Sequence, residues 1–218
     1  MDFRFDIIAE YMPFFLEGML LTIVMSVVGV LVGCVLGFFI ALGKMSKHAI
    51  IRIPFVWYIN FLRGTPLLVQ LFLFHYAVLP TVLGDTTAVT SVLVTLSLNS
   101  SAYVAEIFRA GLQSIDKGQA EAAHSLGMNK FQVMRYVLLP QAFKRSIPPL
   151  GNEFIVLLKD SSLGAMIAAP ELLYWGRAAA GQYYRVWEPY LTVAVAYLIL
   201  TLSLTYLLNY LERRFDVK

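Results

Sequence analysis

Residues 121–140 read EAAHSLGMNKFQVMRYVLLP, a stretch that begins polar and sits among segments far more apolar than itself. Its start and stop signals are dense. Asp116-Lys117-Gly118-Gln119 and Asn129-Lys130-Phe131-Gln132 each place a side-chain acceptor at an N-cap and Gln at the third helical position, which is the capping-box pattern. Between them Gly127 is suited to end a helix in the left-handed conformation. The spacing predicts a short helix over 117–127, followed at once by a new helix from 130. Ala120, Ala122, Ala123 and Leu126 give the short helix a small apolar knob on a polar loop. Such a knob is either an ordinary surface face or a docking surface.

The flanking sequence fixes the setting. The chain has 218 residues, 59% hydrophobic and 14% charged, against about 25% charged in a soluble domain. Residues 19–43, 64–84, 86–105 and 189–211 are uncharged or nearly so. Each reaches the ~20 residues that cross ~30 Å of hydrocarbon. A fifth segment, 148–169, is apolar but carries Glu153, Lys159 and Asp160. We expect an all-α membrane protein, one transmembrane domain over 1–218, with spans near 14–43, 54–80, 86–112, 131–169 and 187–212.

Charge placement orients these spans. Lys44, Lys47 and Arg52 flank the first connection; Arg109, Lys117, Lys130, Arg135, Lys144 and Arg145 flank the long central one; Arg213, Arg214 and Lys218 end the chain. The N-terminal tail is mixed, and the 80–87 connection holds only Asp85. Positive charge resists translocation, so the N-terminus is expected outside and the 113–145 loop and C-terminus in the cytoplasm. Met1–Asp6 contains no cationic leader region, so no cleaved signal is expected. Cys34 stands alone in an apolar run and reads as a small packed hydrophobe, with no disulfide or metal framework.

Several local features admit two readings. Gly29, Gly33 and Gly37 form a small-residue stripe, which serves packing within one chain or a seam between subunits. Gly37 to Lys44 invites a phosphate-binding-loop reading, but five residues separate the glycines and Met45 follows the lysine, so the motif fails. Lys44 is better read as an interfacial anchor. Pro66 in Arg63-Gly64-Thr65-Pro66 interrupts the second span, as a kink or as a true break whose following half-helix faces an anionic group. Asn99, Ser100 and Ser101 are polar groups at membrane depth that need partners. Glu106 and Arg109, spaced i, i+3, fit a local ion pair.

Glu153 and Asp160 lie seven residues apart, so two helical turns put them on one face. Each acid near the bilayer centre costs ~2.5–3.5 kcal/mol on insertion scales, so the face is wet or paired. Either the acids pair internally, with Lys159 or a neighbouring subunit, or they line a wall that meets a cationic group of a substrate.

Glu121-Ala122-Ala123, Gly127 and Leu139-Pro140, at this spacing, resemble the EAA loop of prokaryotic ATP-binding-cassette importer permeases. Arg63-Gly64-Thr65-Pro66 followed by Leu67-Leu68-Val69-Gln70 resembles the polar amino-acid uptake branch of that family. Lys159-Asp160-Ser161-Ser162-Leu163 is similar to a segment recurring after the EAA loop. The resemblance covers residues from about 14 to 214. It implies the type I importer permease fold, five transmembrane helices with a short cytoplasmic coupling helix. Glu121, Ala122, Ala123, Leu126 and Gly127 would then couple to an ATPase subunit. Glu153 and Asp160, with Asn99, Ser161, Thr65 and Gln70, would line the substrate path. The implied partners are an ATPase dimer, a second permease subunit (identical or similar), an extracytoplasmic amino-acid-binding protein, a polar amino acid and membrane lipid. No cofactor, metal, nucleic acid or catalysis by this chain is expected, and the location is a prokaryotic inner membrane. Which amino acid is carried stays open, with cationic ones among the candidates.

Other classes fit less well. An intramembrane acid protease needs a Gly-x-Gly-Asp element, absent here, and both acids fall on one segment. A secondary carrier usually shows internal repeats, and nothing in the chain resembles the selectivity loop of a channel.

Overall fold

The computed structural model describes residues 2–214. Lys218, counted among the C-terminal positive charges, lies outside the described residues, as does Met1. The described residues form eight main helical elements and no strand. In chain order these are α1 (Phe5–Lys44), α2 (Ala49–Gly64), α3 (Leu67–Leu83), α4 (Ala88–Gln113), α5 (Lys117–Ser125), α6 (130–160), α7 (Leu172–Tyr183) and α8 (Trp187–Arg214). Ser161–Ile167 is a 3₁₀ segment joining α6 to α7. Single π-helical turns interrupt α3 at Phe74–Val78 and α6 at Val133–Leu138.

The glycine stripe decides how α1 and α4 meet. Gly29, Gly33 and Gly37 set the α1 backbone against Leu96, Ser100 and Val104 of α4. A Cβ at Gly33 would lie 2.7 Å from Ser100 Oγ, and one at Gly37 the same 2.7 Å from Val104 Cβ. The stripe is therefore packing within one chain, the first of its two readings. Met25, Val92, Leu96 and Leu157 bury a core beside this seam, and Leu71, Ile167 and Ala169 close it. Large apolar side chains such as Leu31 and Phe39 on α1 and Ile199 and Leu202 on α8 stay exposed, as suits contact with lipid.

Each end of the bundle is tied by polar contacts. At one end Tyr11 donates to Gln182 Oε1 at 2.5 Å and Tyr183 donates to the Glu10 carboxylate. There Glu188 pairs with Arg185 at 2.5 Å and accepts the Arg4 amide at 3.1 Å. At the other end Glu106 gathers three cations. It holds Arg109 at 2.8 Å and Arg63 at 3.8 Å, and it accepts a hydrogen bond from Lys44. The expected Glu106–Arg109 pair is thus one edge of a cluster joining α1, α2 and α4, and Lys44 anchors by ion pairing.

Three elements differ from the sequence reading. The first helix begins at Phe5, not near residue 14. The second span is not merely kinked: α2 and α3 diverge by 110° at Thr65-Pro66, where both residues adopt extended backbone. The fifth segment does not run as helix to 169; α6 stops at Asp160 and the chain tightens into 3₁₀ before turning at Ala168. By length and apolarity alone α1, α4 and α8 qualify as spans, and the bent α2–α3 pair makes a fourth. α6 falls short because Lys144, Arg145, Glu153, Lys159 and Asp160 interrupt it.

Candidate functional site

The short helix α5 is built by its caps. Asp116 accepts from the Gly118 amide at 2.7 Å, while Asn129 and Gln132 complete a reciprocal capping box at 3.0 and 2.9 Å. The first predicted box is only half made, because the Gln119 carboxamide accepts instead from Gln141 at 3.4 Å. Gly127 sits at φ +81°. Its amide donates to His124 O at 2.9 Å and the Met128 amide donates to Ala123 O at 3.2 Å. That pair of bonds is the Schellman arrangement, which satisfies the last carbonyls of the helix. The knob is smaller than expected, since Ala123 turns into the chain's own interior at 4% exposure. Glu121, Ala122 and Gly127 are exposed, and Leu126 stands 84% exposed at the tip.

The break at Pro66 explains three of the polar residues singled out. Proline has no N–H to offer Leu62 O, the carbonyl four residues earlier. Gln70 Nε2 supplies that bond at 2.7 Å and Asn99 Nδ2 adds one at 3.2 Å. Gln70 also donates to Thr65 O at 3.0 Å and Thr65 Oγ1 at 2.9 Å, and its own oxygen accepts from Asn99 at 2.9 Å. Thr65, Gln70 and Asn99 form one network that replaces lost helical bonds with side chains. Ser101 bonds Tyr58 at 2.7 Å across to α2.

The acidic pair lies on the last turns of α6. Glu153 is 7% exposed, beside the Ser100 hydroxyl, and Asp160 is half-buried at the end of α6. Among the described residues neither carboxylate forms a salt bridge, and Lys159 is exposed. The Glu153–Lys159 pair considered from sequence is not formed. Asp160 lines a cavity of only about 10 Å³ with Leu67, Leu71, Thr95, Leu96 and Gly164. That is room for about one water, so a single copy in this conformation holds no amino acid there. Ser161, expected on the path, is fully buried and donates to Leu158 O at 2.9 Å.

Glu171 was not singled out by sequence reasoning. It is fully buried and caps α7, accepting from the Leu173 and Tyr174 amides at 2.9 and 2.7 Å and from the Tyr197 hydroxyl at 2.8 Å. Glu is not among the favoured N-cap residues, so nothing local marks it. A family model, the binding-protein-dependent transport system inner membrane component, matches residues 29–217.

The chain belongs to that family.

Its relatives agree over nearly full length. The probable amino-acid ABC transporter permease protein YckA of Bacillus subtilis (strain 168) is 39% identical over 213 residues, covering 98% of this chain and 94% of the relative. The glutamine transport system permease protein GlnP of Escherichia coli (strain K12) is 37% identical over 219 residues, covering 100% of both. Among solved structures, a crystal structure of an amino acid ABC transporter with histidines matches with a TM-score of 0.92 at 43% identity, covering 98% of this chain and 100% of that one. The fold is that of the type I importer permease. The permease family is one of inner-membrane transport components, not itself catalytic.

Proposed function

We propose that this chain is the permease subunit of an ATP-driven importer of a polar amino acid, with a second permease subunit beside it. Two ATPase subunits dock on the α5 helices, using Glu121, Ala122, Leu126 and Gly127. An extracytoplasmic binding protein delivers the amino acid at the opposite end. Glu153 and Asp160 meet the cationic part of the substrate, while Thr65, Gln70 and Asn99 fix the helix break that shapes the path. Glu153 carries this reading. A carboxylate in an apolar bundle costs ~2.5–3.5 kcal/mol, and no cation of this chain pairs with it among the described residues. A countercharge that arrives with the substrate fits that vacancy. The test is reconstitution in liposomes with the cognate ATPase and binding protein. Uptake of one or more polar amino acids should require all three components and ATP. Uptake that proceeds without the ATPase overturns the reading.

We also propose an orientation, with the N-terminus outside and α5 in the cytoplasm. The cations around 109–145 support it, because they resist translocation. In a Cys34→Ala background, cysteines at Asp85 and Gly181 should react with an impermeant thiol reagent applied to intact cells. Position 181 tolerates the change, since a Cβ there meets nothing within 4 Å. A cysteine at Gln119 should react only after the cells are opened. Labelling of position 119 from outside would invert the model.

A further inference from the structure

Arg177 on α7 is exposed and lines a concavity. Arg4, Arg63, Arg109 and Arg185 each lie in an ion pair, whereas Arg177 has no acidic partner among the described residues. Among the described residues its Nη1 alone is engaged, donating to Ala165 O at 2.8 Å and touching Met166 Sδ at 3.8 Å. A guanidinium has five N–H donors in a planar fork that matches a carboxylate. Most of that fork is therefore free, and it opens on a concavity of about 490 Å³ that it lines with Tyr76, Tyr174 and the 165–168 backbone. The volume falls within the range of small-molecule sites, roughly 300–1,000 Å³.

The backbone around this concavity is unusual in two places. Tyr76 lies in the π-helical turn Phe74–Val78, a distortion that recurs at functional sites. Ala168 adopts φ 62°, left-handed for a residue with a side chain. It is held there by the Ala169 amide donating to Gly164 O at 3.0 Å. Strain of this kind persists only where neighbouring contacts fix it, and the bond from Arg177 to Ala165 O is one such contact. Four residues of the 3₁₀ segment, Ser161–Gly164, separate Asp160 from Ala165, whose carbonyl Arg177 holds, and at ~2.0 Å rise per residue that is roughly 10 Å along the chain. A cationic rim thus lies one short segment from the acidic pair.

We propose that Arg177, in the concavity that Tyr76 and Tyr174 also line, is a receiving site for the carboxylate of the incoming amino acid before its cationic part reaches Asp160 and Glu153. This inference rests on the amino-acid reading above and adds a second, oppositely charged contact to the same path. At roughly 10 Å the two charge sites lie farther apart than the ammonium and carboxylate on one α-carbon, so they act in sequence. The free guanidinium selects for the carboxylate on arrival, and the acids select afterwards.

The permease–ATPase complex, purified without binding protein, allows the test. Binding of labelled L-arginine and L-glutamine is measured to the wild type, Arg177→Gln and Arg177→Lys, beside agmatine, the amine that lacks the arginine carboxylate. Loss of one charge-assisted contact should weaken amino-acid binding by about tenfold or more in Arg177→Gln. Arg177→Lys should lose less, and agmatine binding should not change. Equal binding by the wild type and Arg177→Gln overturns the inference while leaving the amino-acid reading intact. A wild-type complex that binds neither amino acid overturns that reading, and this inference with it. If Arg177→Gln breaks the complex into single permease subunits on size exclusion, Arg177 is a subunit contact and the inference is likewise overturned.

Discussion

Gly127→Val should abolish binding-protein-stimulated ATP hydrolysis and uptake while the permease still inserts in the membrane. Gly127 holds φ +81°, where a residue with a Cβ pays roughly 1–2 kcal/mol and a β-branched one is a clear outlier. That is a factor of about 5–30 in the population of the correctly shaped turn. The helix it ends has nine residues, too few to be stable without its caps. Losing the two Schellman bonds should fray it and swing Leu126 out of position. The strain is not a clash within this chain, since a Cβ at Gly127 meets nothing within 4 Å. Gly127→Asn separates turn from groove, because Asn tolerates the left-handed conformation. If the turn is what matters, Asn retains most coupling; if the partner's groove leaves no room, Asn loses it too. Undiminished stimulation in both variants would remove α5 from the coupling pathway.

The sequence made α5 legible because every device that builds it is local. Asp116, Gly127 and the Asn129–Gln132 box act within a few residues, and capping patterns are read at that range. The direction of Ala123 was not legible, because it depends on how α5 lies over the start of α6. The same contrast holds at the helix break. Pro66 announced itself, but the fate of Leu62 O depended on Gln70 and on Asn99, 37 residues from that carbonyl. The resemblance placed Gln70 and Asn99 on a substrate path, and the structure makes them the donors that stabilise the break. Glu106 was read as half of an i, i+3 pair; its bonds to Lys44 and Arg63 are tertiary and left no periodic trace. Ala168 and Tyr184 hold positive φ without being glycine, so the conformational signal that exposes Gly127 was missing at both turns.

Glu153→Gln should weaken the binding of a cationic amino acid to the membrane site by about one to two decades. A charge-assisted hydrogen bond contributes roughly 1.5–3 kcal/mol, and the amide keeps the shape and one acceptor while removing the charge. Within this chain the change should be mild, because Glu153 neighbours the Ser100 hydroxyl and forms no salt bridge among the described residues, Arg63 acting on it only at longer range. Hydrolysis by the unstimulated complex and its thermal stability should therefore stay close to wild type. A cation reaching Glu153 from a second permease subunit predicts the opposite pattern. Neutralising the acid would then leave that cation buried and unpaired, a loss of several kcal/mol, and the complex should melt lower whether or not substrate is present. Binding of arginine and glutamine to the purified complex, measured beside its melting temperature, distinguishes the two. Weaker arginine binding at constant melting temperature assigns Glu153 to the substrate. A lower melting temperature with the remaining folded complex binding normally assigns it to the subunit interface. Unchanged values of both would leave the carboxylate without a partner of either kind, and would remove Glu153 from the path.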